Sequence, residues 1–336
     1  MRVRRFRHHH SLPITHASIL STHETRTVPS SAPLLRIGTR GSPLALAQAR
    51  EVQRRLSAAL GVAPEAIDIR VITTTGDTIQ NRPLVDIGGK GLFTKEIEQA
   101  LIDDVIDVAV HSAKDIPAVL PDGLVLACCL PREDARDAFI SRTAATFAAL
   151  PPGAVVGTAS PRRAAMVKRL RRDLDVVPLR GNVETRLRKL DAGECAATLL
   201  AMAGLNRLGL AGAATAPLDL DDFVPAVGQG VIALETRAAD EKTRERLAAI
   251  GDTAAATALL AERAFLAVLD GSCRTPIAGH ARIAAGALAF RGLIAKPDGS
   301  ASFDTTRRGA VADAEALGRD AGHELRGRAG PDFFTV

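Results

Sequence analysis

The chain has no tryptophan and no tyrosine, and only ten of its 336 residues are phenylalanine. Proteins that bind single-stranded nucleic acid stack bases on aromatic side chains, so this composition argues against that class. The chain also lacks a run of about 18 consecutive apolar residues, the length that a membrane-spanning helix needs. We therefore expect neither a nucleic-acid partner nor a membrane span.

Cysteine is scarce as well, and its positions follow neither a metal-ligand spacing nor a paired framework. Reduced thiols and a cytoplasmic location are the expectation. Cys128, Cys129 and Cys195 lie in apolar stretches and are predicted core residues. Cys273 differs because an arginine follows it in "DGSCRTPIAGH", and an adjacent guanidinium favours the reactive thiolate. On these residues alone, an inert thiol is the alternative.

Positive charge is unevenly distributed. The formal net charge is +5, but residues 1–33 contain five Arg and one Glu, so the remaining body carries only about +1. This leader is polar and has no apolar core like that of a signal peptide, and we predict that it is disordered. An organelle address, a cloning remnant and an overlong start site all stay open for it.

Within the body, basic residues concentrate at 157–190, where ten Lys or Arg face three acidic residues. In a nearly neutral protein, such a concentration favours a local anion site over a surface that binds duplex DNA.

From residue 34 onward, β-branched apolar runs alternate with segments of helical period. The predicted strands are 34–39, 68–73, 107–112, 123–129, 138–141 and 154–158, and the predicted helices are 43–60, 93–104 and 162–172. This alternation predicts α/β units around mostly parallel sheets.

Part of this pattern occurs twice. "IGTRGSP" (37–43) and "VGTASP" (156–161) both pass from a strand through Gly-Thr and Ser-Pro into a helix. We infer two similar doubly wound α/β domains, like those of periplasmic binding proteins, that flank a cleft with the carboxyl ends of their strands. "PAVGQGVIALE" (225–235) is predicted to return the chain to the first domain.

After residue 252 the pattern becomes helix, short strands and a last helix near 311–327, which indicates a smaller α+β domain. The predicted division is a leader at 1–33, domain 1 at 34–130 and 229–248, domain 2 at 135–224 and domain 3 at 252–336.

Arginines cluster where predicted strands lead into helices. Ser42 and Ser160 are predicted helix caps, each followed by a proline at the first helical position, and such helix starts attract anions. The arginines at or near these junctions are Arg40, Arg162, Arg163, Arg180 (at the end of the predicted strand "DVVPL") and Arg186, which belongs to a helix with Asn182 as its predicted cap. They favour bidentate recognition of several carboxylates or phosphates. For Arg169, Arg171, Arg172, Arg188 and Lys189 we expect a solvated face.

"HSAKDIP" (111–117) places Lys114 and Asp115 at the end of a predicted buried strand, where catalytic groups of α/β proteins gather. An aspartate there can stabilise a cationic intermediate or exchange a proton with a ring nitrogen. A helix cap or a structural ion pair is the alternative. The Gly-containing connection 76–91 is interpreted as a mobile lid, with an ordinary surface loop equally open.

Eight stretches, collinear from about residue 34 to 330, resemble the porphobilinogen deaminase family. They are "RIGTRGSPLALAQA", "GGKGLFTKEIE", "DVAVHSAKDIP", "VGTASPRRAA", "LRGNVETRL", "AGLNRLGL", "PAVGQG" and "GSCRTPIAGHA".

This resemblance implies a transferase of tetrapyrrole and haem synthesis. It condenses four porphobilinogen molecules head to tail with loss of ammonia, on a dipyrromethane cofactor bound by a thioether to Cys273. It then releases hydroxymethylbilane by hydrolysis. Each pyrrole ring carries two carboxylates, which identifies the anion that the basic stretch meets. A monomer is the expected state.

The resemblance also implies residue roles. The catalytic residue is Asp115, which also contacts the cofactor. The other cofactor-binding residues are Cys273, Lys114, Ser160, Arg162 and Arg163. The substrate-binding residues are Arg40, Ser42, Lys90, Arg180, Arg186, Arg207 and Gln229, and Asp77 matches the approach to the lid. The chain departs from the commoner family pattern at Asp86, Ala159, Pro161 and Glu184.

Two other functions compete with this interpretation. Two lobes around a cleft also describe solute-binding proteins, which lack the third domain and need an export signal. A nucleic-acid binder rests on the charge of 157–190 alone, and the missing aromatics oppose it.

Overall fold

The computed structural model describes residues 32–78, 91–270, 275–330 and 333–334. Its strands are Leu35–Thr39 (β1), Ile67–Val71 (β2), Val108–Ser112 (β3), Leu124–Cys129 (β4), Asp137–Ser141 (β5), Val155–Gly157 (β6), Asp175–Val177 (β7), Ala197–Ala201 (β8), Ala216–Pro217 (β9), Ile232–Arg237 (β10), Ile277–Ala284 (β11), Ala287–Ala295 (β12) and Ser302–Ala310 (β13). Its helices are Pro43–Leu60 (α1), Thr75–Thr78 (α2), Lys95–Ile102 (α3), Pro161–Leu170 (α4), Val183–Asp191 (α5), Met202–Arg207 (α6), Glu241–Ala248 (α7), Thr253–Val268 (α8) and Ala314–Ala329 (α9).

The first lobe is built on a five-stranded sheet with the order β2-β1-β3-β10-β4. Strand β1 is parallel to β2 and β3, whereas β10 is antiparallel to β3 and β4. Its core contains Ile37, Val110 and Leu234 from the sheet and Val52 from α1, all of them buried. The apolar residues that α1 buries, Ala45, Ala49, Val52 and Leu56, recur every three or four positions, so they form one face that holds the helix on the sheet.

The second lobe repeats this plan with the order β7-β6-β8-β5-β9. Strand β6 is parallel to β7 and β8, and β5 is antiparallel to β8 and β9. The prediction of two similar α/β lobes is confirmed. The prediction of mostly parallel sheets is confirmed as well, because four of the five strands in each sheet run in the same direction. The exceptions, β5 and β10, enter their sheets directly after the chain has crossed between the lobes and run in the opposite direction.

The chain crosses between the lobes twice, from β4 to β5 and from β9 back to β10. The return of residues 225–235 to the first sheet is therefore confirmed. Gly228 and Gly230 in this second crossover have φ angles of +73° and +89°. A Cβ on Gly230 would lie 2.4 Å from the carbonyl oxygen of Glu133, in the first crossover. The two crossovers pack against each other at a distance that only glycine allows.

A third unit consists of the antiparallel sheet β11-β12-β13 with α8 and α9 packed against it, as predicted for the C-terminal part. The fully buried carboxylate of Glu262, on α8, binds the third unit to the two crossovers. It accepts hydrogen bonds from Arg132 (2.5 Å) and from the backbone N–H groups of Gly228 (2.6 Å) and Ala281 (2.7 Å). No helix in the described ranges is long and apolar enough to cross a membrane.

The structure differs from several local predictions. Strand β7 ends at Val177, and Pro178, which has no N–H for a ladder bond, follows it, so Arg180 lies in a loop and not at a strand end. Arg169 does not lie on a solvated face, since its Nε donates to Ser302 Oγ of the third unit at 3.1 Å. Arg171 is also partly buried, and it donates to the carbonyl oxygen of Phe147 at 2.8 Å.

The prediction that three cysteines lie in the core is confirmed. Cys128, Cys129 and Cys195 are all buried. Burial raises the pKa of Cys128 to about 11 and that of Cys129 to about 12, so both are protonated at neutral pH.

Candidate active site

A cavity of about 710 Å³ lies between the two lobes and is closed on one side by the third unit. The carboxyl end of β3 and the N-terminal ends of α1, α4 and α5 all open into it. Most of the predicted site residues line it together: Arg40, Ser42, Lys114, Asp115, Ser160, Arg162, Arg163, Arg180, Arg186 and Gln229. The third unit contributes Leu266, Ala267, Asp270, Thr275 and Ile277.

The first lobe supplies Lys114 and Asp115 from the single helical turn Ala113–Asp115, which follows β3 directly. Lys114 donates from Nζ to Oε1 of Gln229, at 3.2 Å. Burial, helped by repulsion from Arg163, lowers the pKa of Lys114 to about 8. The amine is therefore charged at neutral pH but close to its titration point.

Arg40 and Ser42 occupy the loop before α1. Ser42 caps this helix, because its Oγ accepts the backbone N–H of Ala45 at 3.3 Å. Arg40 forms an ion pair with Asp77, with Nε 3.1 Å from Oδ1, and its guanidinium stacks 4.2 Å from the centre of the Phe93 ring. The predicted cap is confirmed, and Asp77 lies beside Arg40 at the cavity wall.

The second lobe supplies Arg162 and Arg163 from the first turn of α4, which Ser160 caps. Both arginines are at least 95% buried, and both bind the fully buried carboxylate of Asp137. The Nη2 atoms of Arg162 and Arg163 each lie 2.7 Å from an oxygen of that carboxylate. Burial acts to raise the pKa of Asp137, but attraction to the two guanidinium groups outweighs it and lowers the pKa to about 2.

Arg180 and Arg186 lie around the start of α5, which Asn182 caps as predicted by accepting the Thr185 N–H at 2.9 Å. Arg186 donates from Nε to the carbonyl oxygen of Gly181, at 2.8 Å. Burial, with repulsion from Arg163 and Arg180, lowers the pKa of Arg186 to about 10. The arginine stays charged at neutral pH in a wall that is already strongly positive.

Arg207 is placed differently from the other predicted residues. It belongs to α6 and lies outside the lining of the cavity, where its Nε is 3.6 Å from Glu51 and its Nη2 donates to the carbonyl oxygen of Gly230 at 3.0 Å. This arginine holds the second crossover against α1.

Two predicted site residues, Cys273 and Lys90, lie outside the described residues, as do the leader up to residue 31, most of the predicted lid and Asp86. The described residues on either side of 271–274 are Asp270 and Thr275, and both line the cavity.

Comparison with known proteins identifies the family. The model for the porphobilinogen deaminase dipyrromethane cofactor binding domain matches residues 35–245, and the model for the porphobilinogen deaminase C-terminal domain matches residues 256–327. The chain belongs to the porphobilinogen deaminase family. It is accordingly an enzyme, a transferase that acts on porphobilinogen and uses a dipyrromethane cofactor.

Curated relatives agree over nearly the whole body. The porphobilinogen deaminase of Nitrobacter hamburgensis is 63% identical over 303 residues, which cover 90% of this chain and 96% of that protein. The porphobilinogen deaminase of Paracoccus denitrificans is 55% identical over 300 residues, with coverages of 89% and 96%.

Among solved structures, a periplasmic substrate-binding protein of an ABC transporter from Coxiella burnetii shares 15% identity with a TM-score of 0.40, covering 67% of this chain and 94% of its own.

The residues of the cavity suit a carboxylate-bearing pyrrole cofactor. Lys114, Arg162, Arg163 and Arg186 bring positive charge from both lobes to one enclosed space. Guanidinium and ammonium groups are the side chains that bind carboxylates most strongly, so this set of donors fits a cofactor that carries carboxylates.

Sequence reasoning missed Asp137. It treated this stretch as an apolar strand that begins at residue 138, whereas the strand begins with a buried aspartate. An acidic residue at the start of a predicted core strand is itself a signal, because a fully buried carboxylate needs a cationic partner.

Proposed function

We propose that the chain catalyses the stepwise condensation of porphobilinogen in the cavity between the lobes, with Asp115 as its catalytic residue. The observation that carries this assignment is the position of Asp115, which lines the same cavity as cationic residues from both lobes. The family establishes the reaction, and the residue roles below are our proposal.

Asp115 acts on the cationic stage of the reaction. When ammonia leaves the protonated aminomethyl group of porphobilinogen, the C–N bond breaks and a positively charged carbon, conjugated with the pyrrole nitrogen, remains. A fixed carboxylate in a partly dry cavity stabilises that cation more strongly than water does. Carbon–carbon bond formation with the next ring then releases one ring proton, which leaves with ammonia as ammonium.

The cations of the wall bind carboxylates. Lys114, Ser160, Arg162 and Arg163 are assigned to the cofactor, which supplies the pyrrole end to which the first substrate is joined. Arg40, Ser42, Arg180, Arg186 and Gln229 are assigned to incoming rings. Arg207 is left out, because it contacts Glu51 and Gly230 outside the lining.

We further propose that the chain works as three units, at 34–130 with 229–248, at 135–224 and at 252–336. The separate sheets of the structure support this division. Loops that join the units would let the cavity accommodate a growing product. The monomeric state and the cytoplasmic location stay predictions, and the buried, unpaired thiols of Cys128, Cys129 and Cys195 are compatible with a reducing compartment.

Intact-protein mass spectrometry tests the proposal. The purified chain should exceed its sequence mass by a two-ring pyrrole adduct, and brief exposure to porphobilinogen should add further single-ring steps. In Cys273→Ala the adduct should be absent, whereas the matched variant Cys195→Ala, which changes a buried cysteine of the second lobe, should keep it. An adduct retained in Cys273→Ala would refute the proposed attachment.

A further inference from the structure

Asp137, to which the proposed chemistry gives no role, is the anionic centre of a hydrogen-bonded cluster. One carboxylate oxygen accepts from Arg162 Nη2 at 2.7 Å, and the other accepts from Arg163 at 2.7 Å and from Gln229 Nε2 at 3.1 Å. The aspartate is completely buried, and Gln229 is 1% exposed. The carboxylate is therefore shielded from solvent and bound on both sides.

Gln229 extends the cluster into the first lobe. Its amide nitrogen donates to Asp137, while its amide oxygen accepts from Lys114 Nζ at 3.2 Å. Gln229 lies in the second crossover, Lys114 in the turn after β3, and Asp137 at the start of β5. A continuous chain of polar contacts thus joins the turn that carries Asp115 to the arginine pair of the second lobe.

We propose that Asp137 is a positioning residue for the reaction: it holds the Arg162 and Arg163 side chains at the cavity wall and, through Gln229, holds the Lys114 amine in register with them. This inference rests on the proposed function. It assigns Asp137 no contact with the substrate or the cofactor.

The electrostatics of the cluster require such an anion. Three cationic side chains converge within a buried region, and repulsion among them would drive them apart without a counter-charge. Asp137 stays ionised because its pKa is about 2. The two guanidinium groups act to lower the pKa of Lys114, whereas Asp137 and Asp115 act to raise it. Removing the Asp137 charge should therefore shift the Lys114 titration to lower pH.

A purely structural ion pair is the competing explanation, and the chain provides a matched control for it. Asp107 also accepts from two arginines, Arg36 Nη2 at 2.6 Å and Arg237 Nη2 at 3.3 Å. It directly precedes β3, at the end of the strand opposite to the cavity. Asp107→Asn should thus reproduce a loss of stability without any effect on the cavity.

The experiment compares Asp137→Asn with Asp107→Asn, each made in Cys273→Ala and in the otherwise unchanged chain. The first readout is the pH at which Lys114 becomes reactive toward an amine-modifying reagent, followed by peptide mass spectrometry in the Cys273→Ala background. The second is the fraction of the otherwise unchanged protein that carries the pyrrole adduct.

We expect Asp137→Asn to lower the Lys114 midpoint and to reduce adduct loading, and turnover per loaded molecule should fall about 10- to 100-fold through misplacement of the cations. Asp107→Asn should change none of these. Equal Lys114 midpoints in the two variants would overturn the inference, and this readout remains valid even if the chain never carries the adduct.

Should Asp137→Asn fail to fold, Gln229→Met provides a second test. This substitution removes the link between Lys114 and Asp137 while the Asp137 pairs with Arg162 and Arg163 remain. We expect normal folding with a shifted Lys114 midpoint. An unshifted midpoint would show that the contact chain through Gln229 does not position the amine.

Discussion

The two lobes place different side chains on equivalent positions of one scaffold. Val108 pairs with Ile37 in the first lobe, and Ala197 pairs with Val156, the counterpart of Ile37, in the second. Val108 and Ala197 are therefore equivalent, and counting on from them makes Gly204 the counterpart of Asp115. At the starts of α1 and α4, it is the second lobe that carries the charged residues. The Ser-Pro pair of the first lobe is followed by Leu44 and an alanine, whereas that of the second lobe is followed by the arginine pair 162–163.

This difference shows how an anion can be kept available near many cations. An aspartate and an arginine within reach of each other pair, as Asp137 of β5 and Arg163 of α4 do at 2.7 Å. By holding Asp115 on one lobe and the arginine pair on the other, with Asp137 already bound to that pair, the protein favours an Asp115 carboxylate that faces the cavity.

The largest expected effect is on turnover, and it concerns Asp115 and its counterpart in the second lobe, Gly204. Asp115→Ala should reduce turnover about 10²- to 10³-fold, because it removes the charge that stabilises the cationic carbon. The corresponding change in the second lobe, Gly204→Ala, should cost less than about tenfold, since the new Cβ would lie 3.5 Å from Leu44, an ordinary contact. Steady-state turnover of porphobilinogen measures both, and comparable losses would contradict the assignment to Asp115.

The next effect concerns stability. Arg163→Met leaves Asp137 with one guanidinium partner in a fully buried site and should cost about 3–5 kcal/mol in the free energy of unfolding. Arg40→Met breaks a pair whose side chains are 22% and 25% exposed, and should cost about 1 kcal/mol. Urea denaturation distinguishes the two, and equal losses would show that the lobes do not differ in the burial of their ion pairs.

A third prediction concerns the pH dependence of the positive charge in each lobe. Lys114 of the first lobe loses its proton as the pH rises through about 8, whereas the guanidinium groups of the second lobe stay charged. The turnover number should therefore fall above that pH, because Lys114 then holds the cofactor carboxylate less firmly. Lys114→Arg should remove this fall, and a pH profile of turnover that is identical in the two proteins would count against a role for the Lys114 charge.

The smallest expected effects are losses of stability on removing the helix caps, and we expect them to be equal in the two lobes. Ser42 and Ser160 cap α1 and α4 in the same way, with Oγ accepting a backbone N–H at 3.3 Å and 3.4 Å. Each serine-to-alanine change should cost about 1 kcal/mol of stability. Thermal denaturation of the cofactor-free Cys273→Ala protein measures the two caps without bound carboxylates. A much larger loss at Ser160 would show that the helix starts are not equivalent.

Features that depend on local chemistry were predictable from the sequence. The caps at Ser42, Ser160 and Asn182 follow from the preference of short polar side chains for helix starts, and the buried strand before Asp115 follows from its apolar run. Most of the site residues that the family resemblance implies line the cavity, because its motifs lie at these same junctions.

Features that depend on the path of the chain were not predictable in this way. The direction of β10 is decided by a crossover that begins in the other lobe, and the partner of Asp137 lies on a helix that follows it by more than one element. Arg207 has the residue type expected in an anion site, but α6 directs it to Glu51. Residue type and spacing carry no information about such distant contacts.

The position of β10 between β3 and β4 has a consequence for how the chain folds while it is being synthesised. Ser112 pairs with Ile232, so β3 and β4 of the first sheet stay apart until the ribosome has produced a strand far downstream. The strands of the second sheet, from β5 to β9, are all synthesised before β10. During translation the second lobe is thus able to close first, while the first lobe waits with an open sheet edge. The lobe that bears Asp115, the proposed catalytic residue, is then the last of the two to complete its sheet.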